Sequence, residues 1–296
     1  ELICSKKIDV SYLTTHTFKL DDAPKAYDMI LSKSVSYLGI LIEYDVSKKI
    51  DLNNRMIDLQ PTAASFGPTA VNIGFIGAGS YAQSYLLPNV SKYNDVSLKG
   101  VMTTTGSSSR SVAERFGFEF CTTNEDDIID NDDINSVCIA SRHDSHAHYV
   151  VEALNAGKHV FVEKPLCLKI EELEEIKKCY ELSAKGNQIL VVGYNRRFSP
   201  LIRQIKDEFG DGPMAMTYRV NAGIISKDAW IQDLEIGGGR IIGEICHFVD
   251  ALTYLSGSLP VSVYASAMAD PGHLNDTLNV ALSYQNGSIG TISYMA

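Results

Sequence analysis

The residues Gly77-Ala78-Gly79-Ser80-Tyr81-Ala82 come directly after the apolar run Val71 to Ile76 and open a helical pattern. Glycine at 77 permits a tight turn, glycine at 79 lets backbone approach a ligand, and alanine at 82 allows close helix–strand packing. The helix start then presents free N–H groups and a positive dipole end. Strand, turn and helix in this order suit the pyrophosphate of a dinucleotide.

Two further strand ends carry polar side chains. Leu98 to Met102 runs into Thr103-Thr104-Thr105-Gly106-Ser107, with Arg110 close behind and no acid. An Asp or Glu there normally grips the ribose 2′-hydroxyl. Hydroxyls plus an arginine suit a 2′-phosphate, so NADP is expected ahead of NAD; the alternative is NAD held through backbone and hydroxyl contacts. Ser136 to Ala140 ends in Ser141-Arg142-His143-Asp144-Ser145-His146. His143, Asp144 and His146 could be read as metal ligands. Beside a cofactor cleft they are better used in hydrogen bonds to ribose and nicotinamide, and no metal is expected.

Alternating strands and helices must position these residues. From Val71 the pattern predicts strands at 71–76, 98–102, 136–140, 159–162 and 189–192. Helices are predicted at 82–89, 110–116, 147–155 and 170–184, the last closed by Gly186. This is the signature of a parallel sheet with crossover helices. Beyond Ser199 strands dominate, at 214–222, 261–267, 278–284 and 288–295, and Asn286-Gly287 predicts a type I′ hairpin. The fold class is therefore α/β: a Rossmann domain at 71–198, then an α+β domain at 199–296 with a largely antiparallel open sheet. Residues 1–44 hold a helix starting at Asp22-Ala23-Pro24, with an apolar stripe of Ala26, Tyr27, Ile30 and Leu31, and a short strand at 37–42. Residues 45–70 read as a linker.

Bulk properties exclude some partners. The 296 residues carry a net charge of −10, which disfavours nucleic acid and anionic membrane surfaces. No apolar run approaches a membrane span, and no leader pattern opens the chain. The six cysteines form no C-x-x-C pair, which fits free thiols in a reducing cytoplasm.

Three more stretches carry a resemblance: Glu163-Lys164-Pro165-Leu166, Gly193-Tyr194-Asn195-Arg196-Arg197-Phe198, and Gly237-Gly238-Gly239-Arg240 leading to Glu244, His247 and Asp250. With the glycine loop and Ala153 to Val160, they closely resemble the glucose–fructose oxidoreductase / inositol dehydrogenase (Gfo/Idh/MocA) family from about Val71 onward. The resemblance implies hydride transfer between a nicotinamide cofactor and a sugar, nucleotide sugar or polyol. It implies that Lys164 contacts both nicotinamide and substrate, that His247 transfers a proton, and that the Ser141–His146 stretch lies along the cofactor ribose. Glu163, Pro165 and Arg196 are expected on the cofactor by the same token. A histidine with a near-neutral pKa suits proton transfer, and a lysine can polarise the same oxygen.

One position departs from the pattern. Many family members carry Asp four residues before the histidine, and here that residue is Gly243; the nearest acid, Glu244, is rotated by about 100° on a helix. Glu244 is kept as a candidate catalytic acid. The departure also leaves open a rival reading, a cofactor-binding regulatory or scaffold module without turnover. Relatives commonly pair their open sheets, so a homo-oligomer is expected. At the N-terminus, Thr14 to Leu20 followed by Asp22 to Tyr27 resembles the C-terminal tail of medium-chain, zinc-type alcohol dehydrogenases. This implies an upstream dehydrogenase module in a longer chain.

Overall fold

The computed structural model describes residues 5, 7, 9–45, 47, 55–59, 71–90, 92–183, 187–270 and 274–296. They fall into two compact units, Glu1–Asn54 and Arg55–Ala296.

The first unit is a small β-α-β piece: β1 (Thr14–Lys19), α1 (Ala23–Ser32) and β2 (Gly39–Glu43), with the two strands parallel. Pro24 sits in the first turn of α1 as its fixed φ favours. The expected apolar stripe splits. Ala26 is buried, whereas Tyr27 and Leu31 are 63% and 79% exposed. Positions 27 and 31 form the row beside 26 and 30, and a two-stranded sheet is too narrow to cover both.

The second unit begins with β3 (Ile57–Asp58), which lies inside the expected linker and pairs antiparallel with a later strand. The rest of that linker is mostly outside the described residues, as are Ala184 and Gly186. There follow β4 (Val71–Ile76), a π turn (Ala82–Leu86) continuing into α2 (Leu87–Val90), β5 (Val96–Met102), α3 (Gly106–Phe116) and β6 (Phe120–Thr122). Next come α4 (Asp126–Ile129), β7 (Ser136–Ile139), α5 (His146–Asn155), β8 (His159–Val162), α6 (Ile170–Ser183) and β9 (Leu190–Val192). The sheet order is β3-β6-β5-β4-β7-β8-β9, and every pair but the first is parallel.

Apolar side chains cover both faces, as a parallel sheet requires. On one face Val150, Leu154 and Ile176 pack with Ile76, Val137 and Ile139. On the other, Leu87 and Val112 pack with Phe75 and Val101. The chain leaves β4 toward β5 on one side and reaches β7 on the other. A crevice therefore opens at their carboxyl ends, where the winding reverses.

The remaining elements are α7 (Pro200–Phe209), β10 (Ala215–Asn221), a second π turn (Ile241–Ile245) running into α8 (Cys246–Ser256), β11 (Pro260–Ala267), β12 (Leu278–Tyr284) and β13 (Ile289–Met295). Their sheet, ordered β10-β13-β12-β11, is antiparallel except for β10 on β13. Phe248, Leu252 and Leu255 of α8 pack on its inner face against Leu278, Val280, Leu282 and Ile292. The β12–β13 hairpin is not type I′. Gly287 has φ +84 but Asn286 is not among the positive-φ residues, and Tyr284 N–H donates to the Ser288 carbonyl across a three-residue loop. Glycine alone takes the left-handed position, the usual solution for loops of this length. Cys121, Cys138, Cys167, Cys179 and Cys246 are free. Among the described residues no helix is long and apolar enough to cross a membrane.

Candidate active site

The crevice after β4 and β7 is a cleft of about 890 Å³. Gly77 makes its floor possible: its φ is +80, and a Cβ there would lie 2.6 Å from the Ser141 backbone. The two strand-end loops can touch only because residue 77 has no side chain. A Cβ on Gly79 would meet nothing within 4 Å, so that glycine leaves open space at the helix start. Gly77, Gly79, Ser80, Tyr81, Thr103, Thr104, Ser141 and Arg142, expected on the cofactor, all line the cleft. Ala82 does not; it is buried in the helix–sheet packing.

Arg110, His143, His146, Glu163, Lys164, Pro165 and Arg196, also expected on the cofactor, are not among the residues lining this cleft. Arg110 is tied down on α3, its Nε donating to Glu114 at 2.7 Å, one helical turn on. Glu163 is buried beside Tyr81, accepts from the Lys164 backbone N–H at 3.3 Å, and has its pKa raised by burial. His146 is wholly buried, with Nδ1 donating to the Pro165 carbonyl at 2.7 Å, so it holds the Lys164-Pro165 segment instead of lining the cleft. His143 is buried under Trp230, with ring centres 4.8 Å apart, and donates from Nδ1 to the Gly237 carbonyl at 2.8 Å. The Arg196 guanidinium sits 4.7 Å from the centre of the Phe248 ring, on the α8 side. Asp144 and Ser145 of the Ser141–His146 stretch also line the cleft, and Ser108, Tyr149 and Trp230 do so without having been singled out.

The chemistry-bearing pair does come together. Lys164, at the end of β8, reaches across and donates from Nζ to the Gly243 carbonyl at 2.8 Å, one turn before His247. His247 is 7% exposed, its ring lies edge-on to Tyr194, and its Nδ1 is buried without a hydrogen-bond partner. Burial drives the His247 pKa down to about 3, with the charges of Lys164 and Arg196 adding. The imidazole is therefore neutral at pH 7, and a pKa this far below the near-neutral value expected from the sequence makes it a weak base in the ligand-free site. Glu244 is not part of this pair. Its carboxylate accepts from the Tyr294 hydroxyl and lies 3.7 Å from the Arg240 guanidinium. The π turn aims residue 244 into the sheet and leaves the backbone of Gly243 facing Lys164. Asp250, on α8, is held by Arg197.

Residues 71–194 match the oxidoreductase family with an NAD-binding Rossmann fold, and residues 210–295 match the Gfo/Idh/MocA C-terminal domain. The chain belongs to the Gfo/Idh/MocA family. It is 26% identical over 231 residues to myo-inositol 2-dehydrogenase of Thermotoga maritima, covering 75% of this chain and 67% of that one. It is 28% identical to the uncharacterized oxidoreductase YrbE of Bacillus subtilis, covering 74% of this chain and 65% of the relative. A levoglucosan dehydrogenase solved with NADH and L-sorbose superposes with a TM-score of 0.65 at 25% identity, over 76% of this chain and 67% of that one. The chain thus spans about two thirds of the length of these Gfo/Idh/MocA relatives. The acid at 243 is absent, and a Cβ there would lie 3.3 Å from the His143 ring.

The buried histidines make the fold acid-sensitive. Burial lowers His143 to about 4 and His247 to about 3, with Lys164 adding to both. The unfolded chain then binds more protons below pH 6.5, so stability is full above that pH and falls as pH drops toward 4. Each histidine costs about 2 kcal/mol at pH 5. Urea titrations at pH 7.5 and 5 should show this loss, and His143→Asn should recover about half of it. An equal acid loss in that variant would show that His143 is not titrating.

Proposed function

We propose that the chain is an NAD(P)-dependent oxidoreductase that moves a hydride between nicotinamide and a carbinol carbon of a sugar or polyol. The observation that carries this is the Lys164 ammonium, just beyond β8, meeting the turn that leads into the His247 helix. When bound, the nicotinamide accepts or returns the hydride. The chain's residues supply the rest. The N–H groups at the helix start and Gly79 receive the pyrophosphate, and Thr104 and Ser108 face the adenosine ribose. His247 takes the hydroxyl proton, and Lys164 polarises the same oxygen. Turnover is read from the appearance of reduced nicotinamide absorbance with inositols, levoglucosan and hexoses. Tight cofactor binding with no turnover across that panel would favour the scaffold reading.

The cofactor preference we infer is NAD. The 2′-phosphate reading depends on Arg110, whose side chain is 57% exposed and paired with Glu114. Arg110→Ala should change the NAD-to-NADP affinity ratio by less than about twofold (about 0.4 kcal/mol), since Arg110 does not line the cleft. Titration calorimetry with both cofactors tests it, and a tenfold loss of NADP affinity would return Arg110 to the site.

A further inference from the structure

We propose that Arg196 anchors a carboxylate on the substrate, so that the site takes acid sugars ahead of neutral ones. The inference rests on the hydride-transfer reading and names the substrate class within it.

Charge around His247 is unbalanced toward positive. Lys164 Nζ meets only a neutral carbonyl, and among the described residues neither Lys164 nor Arg196 forms an ion pair. Arg196 is exposed and touches the face of Phe248, the residue after His247. Both cations are close enough to depress the His247 pKa. The carboxylates nearby are engaged elsewhere. Asp250 holds Arg197, and Glu244 holds Tyr294 and Arg240. Glu163 lies against Gly193 and Tyr81 and feels the Lys164 charge, but burial outweighs that and raises its pKa. Residue 243, which faces Lys164, offers no side chain. This local excess stands in a chain whose net charge is −10.

The direction of Arg196 separates it from the cofactor. Its neighbour Asn195 donates to the Tyr81 hydroxyl at 3.0 Å, on the glycine-loop side. Arg196 turns to the α8 side, beside the proton-accepting histidine. A guanidinium there presents a planar fork that matches the two oxygens of a carboxylate. Lys164 is then left to polarise the reacting oxygen, and the anion completes the neutralisation that the buried Glu163 provides only in part.

The test is binding to the full chain saturated with NADH, by titration calorimetry. The probes are matched pairs: D-glucuronate with D-glucose, D-galacturonate with D-galactose, and D-gluconate with D-glucitol, plus D-glucose 6-phosphate. At least one acid should bind about 10–100-fold tighter than its neutral partner. Arg196→Leu should bring that ratio toward one, and Arg196→Lys, which keeps charge without the fork, should give an intermediate ratio. Three results would overturn the proposal: no acid preferred in any pair, an unchanged ratio in Arg196→Leu, or glucose 6-phosphate binding ahead of every carboxylate. Hydride transfer to neutral sugars alone sinks this proposal and keeps the enzyme. Selective acid binding without hydride transfer does the reverse.

Discussion

Lys164→Ala is expected to lower turnover by about 10²–10⁴-fold, the range for removing a positioned acid–base or polarising group. Cofactor affinity should fall far less, because the cleft formed by Gly77, Gly79 and Ser141 does not include Lys164. The lysine acts in two ways that the variant separates. Its ammonium is placed by the Gly243 carbonyl at 2.8 Å, so it arrives at the reacting oxygen already oriented. Its charge also helps hold His247 neutral, second to burial. Without it, the His247 pKa should rise, and the acidic limb of the residual pH–rate profile should move to higher pH. Lys164→Arg keeps the charge and should leave that limb in place while still losing rate. Single-turnover measurements with NAD from acid to neutral pH would read both effects. Unchanged turnover in Lys164→Ala would remove the residue from the reaction. Lost turnover with an unmoved limb would mean that burial alone sets the state of His247.

The parts of this site legible in the sequence are those set by backbone or by short spacing. Gly77 and Gly79 declare themselves because a turn after a buried strand constrains which residues fit. The doubly wound order follows from alternating apolar strands and helices. The misplacements concern side chains whose partners are distant. His143 looks like a cleft residue beside Ser141 until Gly237, 94 residues away, takes its Nδ1. Glu244 is claimed by Tyr294, 50 residues on, and the π turn that redirects it has no local signature. Trp230 reaches the cleft from a stretch with no periodicity. Arg110 is different, because Glu114 stands four residues after it, and that spacing on a helix already predicts the pair that removes it from the cleft.

Gly77→Ala should abolish NAD binding and destabilise the second unit, whereas Gly79→Ala should weaken binding with stability kept. The contrast follows from where each added methyl would go. At 77 the backbone has φ +80, which costs a residue with a Cβ about 1–2 kcal/mol before any contact is counted. The methyl would then lie 2.6 Å from both Ser141 Cα and N and 2.8 Å from the Ala140 carbonyl carbon. These are backbone atoms at the end of a central strand, so relief requires the β4 and β7 loops to part. A total loss of about 2–4 kcal/mol is expected, within the range for strained core positions. Parting those loops distorts the crevice that receives the pyrophosphate, so affinity should drop more than about 100-fold, or 2.7 kcal/mol. At 79 the methyl meets no protein atom within 4 Å, so folding has nothing to lose and only a ligand can be displaced. Urea unfolding and NAD titration of the two variants separate fold from cofactor. If Gly79→Ala binds NAD as well as the native chain, the pyrophosphate does not approach that backbone, and the cleft assignment fails at its most direct point.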